Sequence, residues 1–152
     1  MSVPLSVRKA APNDLLGIFK LVASMHSETD FRHTEFDPEK ALGTLAMWIE
    51  GEYSEIFISV KDGEITGLLI GNLVRHWYSQ DLFAIEKMFY VAPQHRGTRA
   101  AYKLVETFVQ WGKDSNSKHI TAGIASGSGE AGARLYERFG LKNLGSNFAI
   151  HI

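Results

Sequence analysis

The segment Val91-Ala92-Pro93-Gln94-His95-Arg96-Gly97-Thr98-Arg99-Ala100-Ala101 constrains the fold more than any other part of the chain. An apolar run ends at Pro93, four turn residues follow, and Arg99–Lys113 then places Ala101, Leu104, Val105, Phe108 and Trp111 on one helical face. A strand that turns at once into a long amphipathic helix is a unit of layered α/β architecture. The first turn of such a helix has amides without internal partners and carries the positive end of the helix dipole. A diphosphate can accept from those amides. Gly97, Ala100 and Ala101 keep bulk away from the backbone there, and Arg96 and Arg99 add positive charge. The same residues also fit a plain strand–helix connection.

The flanking sequence supplies the other layers. Leu5–Ala10 alternates as a short strand. Pro12-Asn13-Asp14 opens a helix with Asn13 as candidate cap, and Leu15, Ile18, Phe19, Val22 and Met25 recur at helical spacing. Ser27–Asp37 reads as a polar loop, and Pro38 starts a second helix carrying Leu42, Leu45 and Trp48. Glu55–Lys61 and Glu64–Val74 flank the hairpin pair Asp62-Gly63. Leu82–Val91 is a fourth strand, Ile120–Ile124 a fifth, and Leu144–Ile152 a final strand region. A helix over Glu130–Phe139 closes at Gly140. The order is β-αα-βββ-α-β-α-β, without linker or repeat, and residues 1–152 read as a single domain. The expected class is α/β (α+β), with a mixed sheet.

Composition removes several functions. With no cysteine there is no disulfide, thiolate metal site or cysteine nucleophile. A net charge of −1 gives no global field for nucleic acid. Met1–Ala11 holds no apolar leader-like run, and no stretch is apolar enough to cross a membrane, so a cytoplasmic protein is expected. The six histidines show neither an i, i+4 pair nor zinc spacing, so no metal is expected. Gly127-Ser128-Gly129-Glu130-Ala131-Gly132 has the form of a dinucleotide fingerprint, but the position about twenty residues on, where the ribose-binding acid belongs, is Ile152.

Arg96-Gly97-Thr98-Arg99-Ala100-Ala101, preceded by Phe89-Tyr90-Val91-Ala92-Pro93, resembles the Arg/Gln-x-x-Gly-x-Gly/Ala signature of the GNAT N-acetyltransferase superfamily. Arg99 stands where that family most often has glycine. Ala133–Leu141 resembles the family's last helix, with Leu141 in place of the usual phenylalanine. Gly129 stands where family members often carry an asparagine. The resemblance spans nearly the whole chain. It implies a mostly antiparallel sheet of six to seven strands with about four helices, and acetyl-coenzyme A as co-substrate.

It also implies site roles. The cofactor arm pairs with strand four, carried here onto the backbone of Met88, Phe89 and Val91. The diphosphate falls on Arg96, Gly97, Thr98, Arg99, Ala100 and Ala101, with the Arg99 side chain a second possible clamp. The reaction is direct attack of an amine on the thioester. Glu86 is the candidate base, or else orders a cationic acceptor or pairs with Arg75 or Lys87. Tyr136 is the candidate proton donor to the leaving thiolate, or else a core tyrosine. A strand-four amide, that of Phe89, polarises the thioester oxygen.

Acceptor candidates are Phe31, His33, Trp77 and Tyr78, beside the acids Glu28, Asp30, Glu35, Asp37 and Asp81. Acids with aromatics suit a cationic amine, either a small molecule or a protein lysine or N-terminus. Two other readings stay open: acetylation of aminoacyl-tRNA by a toxin-like member, and a non-catalytic module that senses acyl-coenzyme A. A homodimer fits either enzyme reading.

Overall fold

The computed structural model describes residues 3–123 and 129–152. Strand β1 (Ser6–Lys9) leads through a 3-10 turn at Pro12–Asp14 into helix α1 (Leu15–Glu28). A second 3-10 turn, Asp30–His33, joins it to helix α2 (Pro38–Glu50). Strands β2 (Ser54–Lys61), β3 (Glu64–Arg75) and β4 (Leu82–Val91) follow. Helix α3 (Ala100–Asp114), strand β5 (His119–Thr121) and helix α4 (Gly129–Arg138) complete the order.

The sheet runs β1-β2-β3-β4-β5. The first three pairings are antiparallel and β4–β5 is parallel. It is a mixed sheet with four helices, as expected, but among the described residues it has five strands rather than six to seven. The expected final strand is absent. Leu144, Phe148, Ile150 and Ile152 are exposed, and 141–152 carries no regular structure. Alternation alone makes no strand where backbone groups find no ladder. β5 offers only three residues of ladder, shorter than the expected Ile120–Ile124, whose last position lies outside the described residues.

Local chemistry explains the elements. Asp62 and Gly63 both take positive φ, 51° and 79°, the geometry of a two-residue hairpin turn. Asp37 caps α2 by accepting from the Lys40 amide at 3.1 Å, with Pro38 in the first turn. At α1 the helix-start residue is Asp14, not Asn13. The Asp14 carboxylate accepts from the Ala11 amide and takes a two-pronged bond from Arg8 at 2.8 and 3.0 Å. That guanidinium holds the Asp14 carboxyl below its ordinary range. α1 runs on through Ser27 and Glu28, which the polar composition had assigned to a loop.

Two apolar layers sandwich the sheet. α1 and α2 cover one face, where Ile18, Leu21 and Leu45 pack on Ile56, Ile58, Leu68 and Ile70. α3 and α4 cover the other, where Leu104, Val105, Phe108 and Tyr136 pack on Phe57, Leu69 and Ala84. Gly71 lets α3 sit close, because a Cβ there would meet Trp111 at 2.7 Å and Phe108 at 3.1 Å.

One irregularity positions the site. β3 pairs Ile70 with Met88 and Gly71 with Glu86, so Lys87 is an extra residue in β4. This β-bulge breaks the two-residue alternation of side chains. Met88 keeps to the α1/α2 face. Glu86, opposite Gly71, turns to the α3/α4 face, which an unbroken strand would deny it.

Candidate active site

β4 and β5 pair only from Phe83–His119 to Ile85–Thr121. From Glu86 onward β4 has no described strand on its second edge. The Ala92 amide donates to Thr66 C=O at 2.9 Å. Backbone groups alternate sides along an antiparallel strand. Phe89 and Val91 therefore present theirs to the open edge, whereas Met88 presents its own to β3. The backbone of Met88, expected as a partner of the cofactor arm, is thus turned away from the open edge. At Val91 the carbonyl already accepts from Arg96 Nε at 3.0 Å, which leaves its amide.

The cradle starts where β4 ends. Pro93–His95 forms a 3-10 turn, and Gly97 follows with φ +83°, a conformation that favours glycine. Thr98 Oγ1 donates to His95 C=O at 2.7 Å and accepts from the Ala100 amide at 3.2 Å. Ala100 is thus capped internally and fully buried. Among the described residues nothing accepts from the amides of Gly97, Thr98, Arg99 or Ala101. They remain as donors at the α3 N-terminus, the arrangement that suits a diphosphate.

The two arginines do not both face that cradle. Arg96 bonds Glu28 of α1 at 2.8 Å and lies 5.4 Å over the Tyr90 ring. Tyr90 Oη in turn donates to Glu28. Arg96, with Tyr90, holds the Glu28 carboxyl below its ordinary range, while burial and that carboxylate push the Tyr90 phenol up to about 12. Arg96 is therefore a strut between the β4–α3 turn and α1, not a free charge. Arg99 stacks on Tyr102 at 5.2 Å, and Arg138 of α4 lies on the same ring at 5.1 Å.

The candidate pair Glu86 and Tyr136 meets at one peptide. Glu86 Oε2 accepts from the Gly123 amide at 3.0 Å, and Tyr136 Oη donates to the Gly123 carbonyl at 2.9 Å. Burial pushes the Glu86 carboxyl up to about 7, against the pull of that amide. Burial, and then the Glu86 charge, push the Tyr136 phenol above its ordinary range. A carboxyl that titrates near neutrality thus shares a peptide with a phenol that keeps its proton. Tyr136 is held by the end of α4. Gly140 takes φ +87°, its amide donates to Glu137 C=O at 3.0 Å, and the Leu141 amide donates to Tyr136 C=O at 3.2 Å. That is a Schellman ending with Tyr136 as its third-last helical residue. Phe89 lies 6.4 Å from its ring. Sequence reasoning missed Gly123, which offers only backbone and follows a strand like many glycines, and it placed Glu28 beside the acceptor without its partner Arg96, which is far along the chain.

The acceptor candidates separate into two groups. Trp77 and Tyr78 are exposed and meet edge to face at 5.4 Å, and Tyr78 stacks on His76 at 5.2 Å. Phe31 and His33 belong to the Asp30–His33 turn, where Phe31 is exposed and His33 faces Asp30 and His151. Among the described residues no hydrogen bond or ring contact joins the two groups. Several expected acids are already engaged: Glu28 by Arg96, Asp37 as a helix cap, and Asp30 by His151. Part of the dinucleotide-like segment lies outside the described residues; Gly129–Gly132 starts α4. Among the described residues no helix is long and apolar enough to cross a membrane.

Comparison with known proteins follows the same lines. The sequence model of the acetyltransferase (GNAT) family matches residues 22–141. Among curated proteins none matches the chain by sequence. Solved structures share the fold at low identity. One is the aminoglycoside acetyltransferase AAC(6')-Iy in complex with the bisubstrate analog CoA-S-monomethyl-acetylneamine, at 12% identity and TM-score 0.78, covering 97% of each chain. Another is a ribosomal-protein-alanine N-acetyltransferase from Brucella melitensis biovar Abortus 2308, at 17% identity and TM-score 0.73, covering 99% of this chain and 100% of that one. A third is a transcriptional regulator from Bacillus halodurans C-125, at 15% identity and TM-score 0.78, covering 98% and 100%.

Proposed function

This chain belongs to the acetyltransferase (GNAT) family, and from that premise we propose that it is an acetyl-coenzyme A-dependent N-acetyltransferase acting on a primary amine by direct attack. The observation that carries the reading is the Gly123 peptide, which holds Glu86 by its N–H and Tyr136 by its C=O.

The residues fit the cofactor at two places: the free amides of Gly97, Thr98, Arg99 and Ala101, and the open β4 edge at Phe89 and Val91. When bound, acetyl-coenzyme A supplies an activated acetyl group as a thioester. The Phe89 amide, on the open edge, is the donor available to a thioester oxygen. Glu86, ionised above about pH 7, takes a proton from the incoming ammonium. Tyr136 Oη holds a proton for the departing sulfur. In sum a C–N bond forms and the C–S bond breaks; of the two protons that leave the ammonium nitrogen, one goes to Glu86 and the other balances the proton that Tyr136 gives to the thiolate.

A small polyamine-like acceptor is favoured over a macromolecule by the exposed Trp77–Tyr78–His76 aromatics, which can stack on a cationic ring or chain. Two of the solved relatives are named as aminoglycoside and ribosomal-protein-alanine acetyltransferases, so both acceptor types belong in the screen. The test is calorimetric titration with acetyl-coenzyme A and NADH as control, followed by thiol release with amine acceptors. Micromolar binding of acetyl-coenzyme A alone, with amine-dependent thiol release, is the expected result. Absence of binding by folded protein would leave a fold without the activity. Binding without thiol release across amines would favour the acyl-coenzyme A-sensing reading.

A further inference from the structure

Asp30, His33 and His151 bring one carboxylate and two imidazoles to a single point on the surface. His151 Nε2 lies 2.8 Å from Asp30 Oδ2, and His33 Nε2 lies 3.8 Å from Asp30 Oδ1. The two imidazole rings are 4.6 Å apart between centroids. One ligand atom from each residue falls within 4.8 Å of the other two. Asp30 and His33 sit on the turn between α1 and α2, and His151 comes from a segment without sheet pairing. Sequence spacing could not reveal this group, because His33 and His151 lie far apart in the chain.

We propose that Asp30, His33 and His151 bind a divalent cation of zinc type, which pins the C-terminal segment to the α1–α2 turn. One imidazole would suffice for an ion pair with Asp30; the second gives the donor set of a nitrogen–oxygen metal site. Bond lengths near 2.0–2.2 Å place tetrahedral ligand atoms roughly 3.3 Å apart. The observed 2.8 and 3.8 Å bracket that separation, so small side-chain rotations complete the site. All three residues are exposed, which leaves room for water in the fourth position. The Gly123 site contributes no residue to this one.

The test is calorimetric titration of tag-free, chelator-treated full chain with ZnCl2, and visible spectroscopy with CoCl2. The expected result is one equivalent of Zn2+ at micromolar affinity or tighter, and the d–d bands of a tetrahedral cobalt site. His151→Ala and Asp30→Asn should each weaken binding at least tenfold, while His95→Ala should leave it unchanged. Circular dichroism checks that each variant is folded. Equal affinity in wild type and His151→Ala, or no binding by the folded wild type, would overturn the proposal.

Discussion

Replacing Glu86 with glutamine should stabilise the folded protein above neutral pH. In the fold the Glu86 carboxyl is pushed from its ordinary 4.5 to about 7 by burial. Between those pH values the folded state keeps a proton that the unfolded chain has lost, so stability falls as pH rises through the window. Above about pH 7 the loss levels off at roughly 3 kcal/mol, from about 1.4 kcal/mol per pH interval. Glutamine keeps an oxygen for the Gly123 amide and never ionises. Urea unfolding of wild type and Glu86→Gln at pH 5 and pH 8 reads the effect directly. The variant should gain under about 1 kcal/mol at pH 5 and about 3 kcal/mol at pH 8. A gain that is equal at both pH values, or a loss at pH 8, would refute the claim that the fold desolvates this carboxylate. Activity should move the other way. Wild-type kcat/KM should rise through about pH 7, and the variant should lose that limb along with about a hundredfold or more in kcat.

Two further outcomes follow from the same geometry. Tyr136→Phe should lower turnover more than tenfold while acetyl-coenzyme A affinity, read by calorimetry, holds; an unchanged rate would remove the hydroxyl from the mechanism. Gly97→Ala meets no neighbour but must keep φ +83°, so it should cost about 1 kcal/mol in thermal unfolding and weaken acetyl-coenzyme A binding. Full affinity in that variant would show that the turn does not hold the diphosphate.

The parts legible in the sequence were those governed by local chemistry. Pro93 and Gly97 mark the β4–α3 turn, Asp62-Gly63 marks the hairpin, and Gly140 marks the end of α4. Each announces itself through a φ requirement or a missing amide. What stayed hidden depends on partners. Arg96 looks like a phosphate ligand until Glu28 is seen opposite it. Leu144–Ile152 alternates like a strand, yet alternation does not say whether a neighbouring edge exists. The bulge at Lys87 carries no glycine or proline signal, and it decides which face Glu86 occupies.

That bulge restricts how sequences of this kind can diverge. Lys87 is exposed, so many residues could stand there at little cost. Removing it is a different matter. A one-residue deletion would restore strict alternation and keep Glu86 opposite Gly71 and Met88 opposite Ile70, but it would remove the local bend and added twist of β4 just past Ile85, where β4 parts from β5. The strand would still form, and the protein would still fold around a sheet of the same order. Drift at this position is therefore permissive in identity and strict in length, and an indel there is a route by which a descendant could keep the architecture and the face of Glu86 while altering how β4 diverges from β5.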